Sequence, residues 1–311
     1  MRRETLILLI VLVVLAAVYL IAQRPFGKDG PEVPSDEDLF FPGFVAADVE
    51  SLSMRGRAID VTLFRAGATW VIAGDRAMHA APTKVEEALE MIAALPRTEL
   101  VSVVPEKHAV FEVVEGPATR LRAAGGGRVL ADVFVGKRGP GHLAAYVRAP
   151  GEDEVYLSQR GFPSNVIRPI DFWRDREILS FDPADAAWLA IEAGGKRIAL
   201  SRTAEREWRI TEPEERPAGA AAVDAALRVL SSLSAMGFED ELSPSECGFD
   251  DPTAVISVDL ASGALPTVTI GSEDETSYFV RREGRETVYR VSASRLEPVL
   301  VGADGFAADG E

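Results

Sequence analysis

The only cysteine of the 311-residue chain, Cys247, stands in the segment CGFDDPT, and two aspartates follow it closely. A cysteine acts as a nucleophile or metal ligand as its thiolate, which neighbouring positive charges stabilise. No lysine or arginine lies within several residues of Cys247, and the nearby charges, including Asp250 and Asp251, are acidic. We therefore expect Cys247 to be a small, partly buried packing residue. A single cysteine also excludes an internal disulfide.

The three histidines, His79, His108 and His142, do not have the spacing of a zinc site, because none stands three or four residues from another. We expect scattered surface histidines and predict no metal site, no cofactor and no catalytic residues. The chain also lacks the P-loop motif, the dinucleotide-binding glycine motif and the nucleophile elbow of serine hydrolases. The sequence therefore favours a protein that is not an enzyme.

Other residues suggest chemistry only weakly. The acidic clusters at 152–154, 249–251 and 273–275 lack the alternating order of a calcium loop, so we interpret them as solvated loops. A carboxylate pair for glycoside hydrolysis stays open, because the chain has 49 acidic residues and their distances are not visible in a sequence. Trp173 and Trp188 could form a platform for a sugar ring or act as hydrophobic glue.

The composition excludes one class of partner. The chain has 33 basic and 49 acidic residues, a net charge of −16, and no basic stripe that could displace counterions from nucleic acid. We therefore expect no nucleic-acid partner. Hydrophobic residues make up 47% of the chain, and its length fits about two domains.

The N-terminus predicts a membrane anchor over residues 1–24. Residues 5–22 carry no charge, and an 18-residue helix is about 27 Å long, close to the thickness of a bilayer core. A cleaved signal peptide is the alternative, but its apolar region is shorter and ends in a small-x-small site that this segment lacks. The basic residues that precede the apolar run favour a cytoplasmic N-terminus and an extracytoplasmic bulk. The residues taken to mark the anchor are Thr5, Leu6, Ile10, Leu15, Tyr19 and Ala22.

The remainder of the chain reads as two copies of one unit. Trp70 and Trp208 stand 138 residues apart, and the same apolar spacing follows each of them. Later landmarks keep the same order at slightly smaller offsets, which indicates shorter loops in the second copy. The predicted landmarks pair Trp70 with Trp208, Phe111 with Phe249, Gly136 with Gly271, and Tyr156 with Tyr289.

Each copy predicts short strands joined by tight turns, hence an antiparallel sheet, with one amphipathic helix on one face. In the first copy Thr83 and Glu86 form a capping-box pattern that predicts the start of the helix, and the second helix is predicted over about 219–236. The fold class is therefore α+β in two tandem modules after the anchor. The predicted segments are the anchor 1–24, an acidic Pro/Gly linker 25–43, modules 44–166 and 167–301, and a flexible tail 302–311.

The segment around Cys247 is then the corner of a fold. Gly248 permits a left-handed backbone, Phe249 anchors the loop, and Pro252 disfavours helix at the residue before it. At the matching place the first copy keeps Phe111 but has no cysteine and no glycine.

These landmarks resemble the DUF4340 family, on the residues WRI at 208–210, CGFDDP at 247–252, YFVRR at 278–282 and TVYRV at 287–291. The resemblance covers most of residues 1–300. Cys247 and Phe249 stand where the family pattern has an aromatic residue and a leucine. The resemblance implies one N-terminal membrane helix in the inner membrane, an extracytoplasmic region, and partners such as ABC transporter permeases of the gliding-motility type. It implies no catalytic residues.

Taken together, the sequence predicts a membrane-anchored accessory or scaffold protein that binds other proteins. One alternative is a module that binds a glycan or peptide in a groove between the copies, lined by Trp173, Trp188 or Tyr278. A hydrolase of unfamiliar type is the third hypothesis.

Overall fold

The computed structural model describes residues 36–74 and 78–308. The predicted anchor, including the residues named from Thr5 to Ala22, and the linker up to residue 35 lie outside the described residues. Within the described ranges, no helix is both long and apolar enough to cross a bilayer.

The first module, module 1, is built on a nine-stranded antiparallel sheet in the order β4-β3-β2-β1-β6-β7-β8-β9-β5. Side chains alternate along β1: Leu52 and Met54 are buried under the helix, whereas Ser53 and Arg55 point to the opposite face. The strands are β1 (Ser51–Gly56), β2 (Ile59–Ala66), β3 (Thr69–Ile72), β4 (Met78–Ala80), β5 (Leu100–Ser102), β6 (Thr119–Gly125), β7 (Arg128–Arg138), β8 (Ala145–Arg148) and β9 (Val155–Leu157).

The second module, module 2, has a ten-stranded sheet in the order β13-β12-β11-β10-β15-β17-β18-β19-β14, with β16 paired to β15 beside this path. Apart from β16, every strand has a counterpart in module 1 at the same place in the order. The strands are β10 (Ala186–Ala193), β11 (Lys196–Arg202), β12 (Trp208–Glu212), β13 (Arg216–Pro217), β14 (Gly237–Glu239), β15 (Ala254–Leu260), β16 (Gly263–Ala264), β17 (Val268–Asp274), β18 (Ser277–Arg282) and β19 (Val288–Ser292).

Helices are few, and one longer helix packs against each sheet. The apolar stripe of each helix is buried in the core of its own module, as at Leu89 and Leu227. The prediction of two tandem, mainly antiparallel sheet modules is therefore confirmed. The helices, numbered in chain order, are α1 (Pro82–Ala93), α2 (Phe162–Val166), α3 (Ile170–Trp173), α4 (Ala220–Leu230) and α5 (Ala293–Leu296). Short 3₁₀ turns cover Asp36–Asp38, Ala46–Asp48, Pro105–Lys107, Pro140–His142 and Pro183–Asp185.

The limits of both longer helices differ from the prediction. Thr83 is not the cap of α1, because the helix already begins at Pro82 and no side chain caps it. Proline suits the first helical position, since its fixed φ is helical and its missing N–H needs no partner there. The second helix ends at Leu230 rather than near 236. The chain then turns so that the Leu233 carbonyl accepts a hydrogen bond from Ile178 N, 2.8 Å away.

Both modules extend beyond their predicted C-terminal boundaries at 166 and 301. Trp173 is fully buried in the core of module 1, and its carbonyl accepts a hydrogen bond from Ala81 N at 2.7 Å. Phe306 is fully buried in the core of module 2, and its carbonyl accepts one from Gly219 N at 2.8 Å. Residues 302–308 therefore pack in module 2 and are not a flexible tail. At the other end Phe40, predicted to lie in the linker, is buried in module 1.

Candidate functional site

The loop that holds Cys247 packs on the sheet face opposite the helix. Cys247 is fully buried in a small cluster with Phe249, Phe279 and Val288. Burial, and then the charges of Glu239 and Glu246, raise the pKa of the thiol. Cys247 is therefore a neutral packing residue inaccessible to solvent, and it is not an activated nucleophile.

We call the loops around Phe111 in module 1 and Cys247 in module 2 the two corners. In each module a strand glycine lies close to the corner, and this contact shows which residues correspond. The carbonyl of Phe111 lies 2.2 Å from the point where a Cβ on Gly136 would stand, and the carbonyl of Cys247 lies 2.1 Å from that point on Gly271. Each carbonyl accepts a hydrogen bond from the residue after the glycine, at 3.1 Å in module 1 and 2.9 Å in module 2. The structure therefore pairs Phe111 with Cys247, and the predicted pairing of Phe111 with Phe249 is out of register by two residues.

The corrected register explains the cysteine. FEV at 111–113 corresponds to CGF at 247–249. The large Phe111 therefore aligns with the small Cys247, and the smaller Val113 aligns with the large Phe249. Val113 and Phe249 each fill the cluster beneath their own corner. The middle residues, Glu112 and Gly248, both have a left-handed backbone, with φ of 58° and 78°. The thiol is thus the small partner of a size exchange, as expected when total core volume is conserved.

The tryptophan and tyrosine landmarks lie at matching places in the two sheets. Trp70 and Trp208 are buried on β3 and β12, and each lies 5.0 Å from the guanidinium of a cross-strand arginine, Arg65 or Arg202. Tyr156 and Tyr289 are buried at equivalent positions of β9 and β19.

The histidines do not converge on a site. His108 is buried rather than on the surface, and its Nε2 lies 2.8 Å from the carbonyl oxygen of Asp153. His79 is half-buried, and burial followed by the charge of Arg285 lowers its pKa. His142 is exposed on a turn. Among the residues that the structure describes, no three potential ligands come together to hold a metal ion.

The aromatic and acidic residues considered for sugar or calcium binding are buried or make contacts within the protein. Trp173 is buried and its Nε1 donates to the Arg168 carbonyl at 3.0 Å, so it cannot offer a face to a sugar. Trp188 is half-buried. Within the acidic clusters, Glu152 pairs with Arg97 at 2.7 Å, and Tyr278 lies 3.3 Å from Glu273.

Charged residues fill the junction between the modules. Arg174 is almost completely buried there, forms two hydrogen bonds with the carboxylate of Asp240 at 2.5 and 2.9 Å, and lies 3.7 Å from the centre of the Phe238 ring. Arg285 pairs with Asp175 at 2.8 Å. A cavity of about 20 Å³ at the junction has room for about one water molecule. Arg285, Glu286 and Val288 beside it also line an open cleft of about 1100 Å³, and the glycan or peptide groove that the sequence suggested stays a prediction.

The edges of the two sheets differ, and this difference gives the best candidate site. The edge strand β4 of module 1 is sealed by the segment around Arg174, and β13 of module 2 by the C-terminal segment, through the pairs Ala80–Arg174 and Ala218–Ala307. The residues just before the other two edge strands pair alike in both modules: Ala235 N, before β14, donates to the Arg176 carbonyl at 2.8 Å, and Arg97 N, before β5, donates to the Asp38 carbonyl at 2.6 Å.

Strand β5 of module 1 lies last in its sheet, as β14 does in module 2. It pairs with β9 on one side, and no strand of the described ranges pairs with its other side. Four large apolar side chains of this segment are exposed, by 38–54%. We call this surface the apolar edge; it consists of Leu100, Val101, Val103 and Val104.

The apolar edge is only weakly marked in the sequence. A signal was present, because ELVSVV at 99–104 is rich in β-forming residues, whereas the corresponding part of the second copy, MGFEDE at 236–241, is not. Only the strand order shows that this segment has no neighbour on its outer side.

A family model described as "Domain of unknown function (DUF4340)" matches the chain twice, over residues 70–252 and 208–307. The two matches begin at the equivalent residues Trp70 and Trp208. No curated protein and no solved structure matched the chain.

Proposed function

Since the chain belongs to the DUF4340 family, a domain of unknown function, we propose that it is a non-enzymatic accessory or scaffold protein that binds a partner protein through the apolar edge. In this proposal residues 5–22 form an uncleaved anchor in the inner membrane, with the N-terminus in the cytoplasm and both modules outside it. The partner is an ABC-type permease or a related component of the same membrane. The uncharged run, the arginines before it and the family resemblance support this location.

The apolar edge is the observation that carries the proposal. Exposed sheet edges offer unpaired backbone N–H and C=O groups to another chain, and native proteins usually cover or charge them. Here the edges at β4 and β13 are covered, while the segment of β5 keeps four large apolar side chains in solvent. An extended partner segment can add to such an edge through backbone hydrogen bonds and place alternate side chains against the exposed valines.

The position of the apolar edge fits a partner in the membrane. The described chain begins at Asp36. The carbonyl oxygen of Asp38 accepts a hydrogen bond from the backbone N–H of Arg97 at 2.6 Å, and Arg97 lies three residues before β5. Residues 23–35 span at most about 45 Å when fully extended. An anchor at 5–22 therefore keeps the apolar edge within reach of the external loops of a neighbouring membrane protein.

Charge narrows the class of partner segment. Around the apolar edge the chain carries Glu99, Glu106 and Glu112 against Arg97 and Lys107, and Arg97 is paired with Glu152 at 2.7 Å. An apolar extended segment with basic flanks complements this surface, whereas an anionic lipid surface does not.

Comparative copurification tests the proposal. The full chain is recovered from native membranes in mild detergent, beside a Val101→Lys, Val103→Asp double variant and a Val129→Asp control at an exposed valine of module 1. We expect the same partner with the wild type and the control, and at least a tenfold loss with the double variant at unchanged unfolding temperature. Equal recovery from all three proteins, or no partner in several gentle detergents, contradicts the proposal.

A further inference from the structure

A second surface of module 1 carries an unusual charge for so acidic a chain. Arg55, Arg57, Arg120 and Arg122 line a cavity of about 540 Å³ on the face of the sheet opposite the helix, where Glu115 is the lining carboxylate. We call these four residues the arginine trough. It lies over β1, β6 and β7, on the central strands of the sheet and not on its edge.

The strand register forces these arginines together. Arg55 of β1 and Arg120 of β6 are direct cross-strand partners, and Arg122 lies opposite Ser53, two residues along the same pair. Like charges directly opposite each other in a sheet are destabilising. An anion held between them removes that cost.

The protein compensates this charge only in part. Asp132 forms two hydrogen bonds with Arg120, at 2.7 and 2.9 Å, and lies 3.9 Å from Arg122. Asp60 pairs with Arg55 at 3.4 Å, but both side chains are more than two-thirds exposed, so the pair is weak. No carboxylate in the described part of the chain pairs with Arg57.

One member of the trough is held in a fixed position. The guanidinium of Arg120 lies 5.5 Å from the centre of the buried Phe134 ring, and the two hydrogen bonds to Asp132 fix its orientation. A planar, pre-ordered guanidinium suits recognition of carboxylate or phosphate oxygens. The other three side chains are more exposed and can close on a ligand.

Module 2 shows that the sheet does not require these arginines. The positions equivalent to Arg55, Arg120 and Arg122 hold Glu192, Val255 and Ser257 in the matching register. A cleft of about 1100 Å³ in module 2 is lined by three arginines and four glutamates, so its charges nearly balance. The excess of positive charge is thus particular to module 1 and is not part of the fold they share.

We propose that the arginine trough binds an anionic ligand that carries at least two oxyanion groups, carboxylate or phosphate. One group lies between the cross-strand arginines Arg55 and Arg120, and the second is bound by Arg57 or Arg122. A ligand with two groups can contact the cross-strand pair and also reach Arg57 or Arg122, which line the same cavity. This site is separate from the apolar edge and does not depend on a partner protein.

Calorimetric titration of the full chain in a non-ionic detergent tests the site. The probes are inorganic pyrophosphate and citrate, each at an ionic strength matched with sodium chloride. The site variant is Arg55→Gln, Arg122→Gln, and the control is Arg197→Gln, an exposed and ion-paired arginine of module 2. These positions are exposed, so equal unfolding temperatures are expected for all proteins.

We expect saturable binding of at least one probe with a stoichiometry of one, weakened at least fivefold in the site variant and unchanged in the control. Tighter binding of pyrophosphate identifies a phosphate ligand, and tighter binding of citrate identifies a carboxylate ligand. Equal binding by the site variant and the wild type, or heat that sodium chloride alone reproduces, overturns the inference. Copurification of a partner is unaffected by either result, so this proposal and the protein-binding proposal fail separately.

Discussion

The two modules have the same order of nine strands but different surfaces. In each module the chain seals one sheet edge, at β4 or β13, and pairs in the same way with the residues just before the other edge strand, β5 or β14. Module 1 differs in the four exposed apolar side chains of the apolar edge and in the arginine trough on its central strands. The shared features concern packing, and the differences concern surfaces that a partner or ligand can reach. We infer that module 1 does the binding and that module 2 supports it.

The residues that close each module should give the largest effects. Trp173 and Phe306 fill their cores from equivalent places beside β4 and β13. Trp173→Ala and Phe306→Ala are each expected to cost about 3–5 kcal/mol of unfolding free energy, because each leaves a large cavity. Urea denaturation measures this, with Phe64→Ala, an exposed aromatic, as the control that changes little. A cost below 1 kcal/mol at either aromatic residue refutes the equivalence.

The strand glycines beneath the two corners come next. A Cβ at Gly136 or Gly271 meets a backbone carbonyl at 2.2 or 2.1 Å, so the corner must move. We expect Gly136→Ala and Gly271→Ala to cost about 2–4 kcal/mol each. Gly126→Ala, in an open turn with positive φ, is the comparison at about 1 kcal/mol. If one strand glycine tolerates alanine, the two corners are not built alike.

The edge strands β14 and β5 should differ in their dependence on pH. Hydrogen bonds from Arg290 and from the backbone N–H of Glu241 lower the pKa of Glu239 on β14, and the matching residue on β5 is Ser102, which does not titrate. A lowered folded pKa means that the stabilisation is complete above the unfolded value of about 4.3 and is lost as the pH falls through the folded pKa.

Glu239→Gln should therefore destabilise the protein at pH 7 by about 1–2 kcal/mol. The difference from the wild type should shrink as the pH falls below about 4.5. Denaturation curves at several pH values measure it, with Glu99→Gln as an exposed control. A difference that does not depend on pH contradicts the role assigned to this carboxylate.

The smallest expected effect on stability tests whether Glu112 and Gly248 are equivalent positions of the two corners. Glu112 has the left-handed backbone that glycine adopts at position 248. We expect Glu112→Gly to stabilise the protein by about 0.5–1 kcal/mol, because a side chain at positive φ is strained. Gly248→Ala should destabilise it by more than this, since its Cβ would also lie 2.7 Å from Ser272 N. Thermal unfolding gives both values, and the same sign for both changes would show that the pairing is wrong.

Much of the fold was predictable because packing repeats along the chain. The tryptophans, the helical stripes and the strand glycines recur in order, and a repeated core needs repeated residues. The Phe111–Phe249 pairing failed because two phenylalanines look equivalent in a sequence. The size exchange between FEV and CGF becomes visible only when the glycine contacts fix the register.

The candidate surfaces were not predictable for a related reason. Arg55 and Arg120 are 65 positions apart and become neighbours only through the pairing of β1 with β6. The valines near 101–104 are typical of any strand, and their exposure depends on β5 being last in the sheet. Trp173 was a candidate for a sugar site, but it is buried, and burial is not visible from residue type alone.

Site-specific photocrosslinking in native membranes tests the central claim most directly. A photoreactive amino acid replaces Val103 on the apolar edge of module 1 or, as the matched control, Met236 beside β14 of module 2; both side chains are more than half exposed. We predict one discrete adduct from position 103, absent when Val101→Lys is added, and no adduct from position 236. Equal labelling at both positions, or an adduct that persists with Val101→Lys, would contradict the assignment of partner binding to the open edge of module 1.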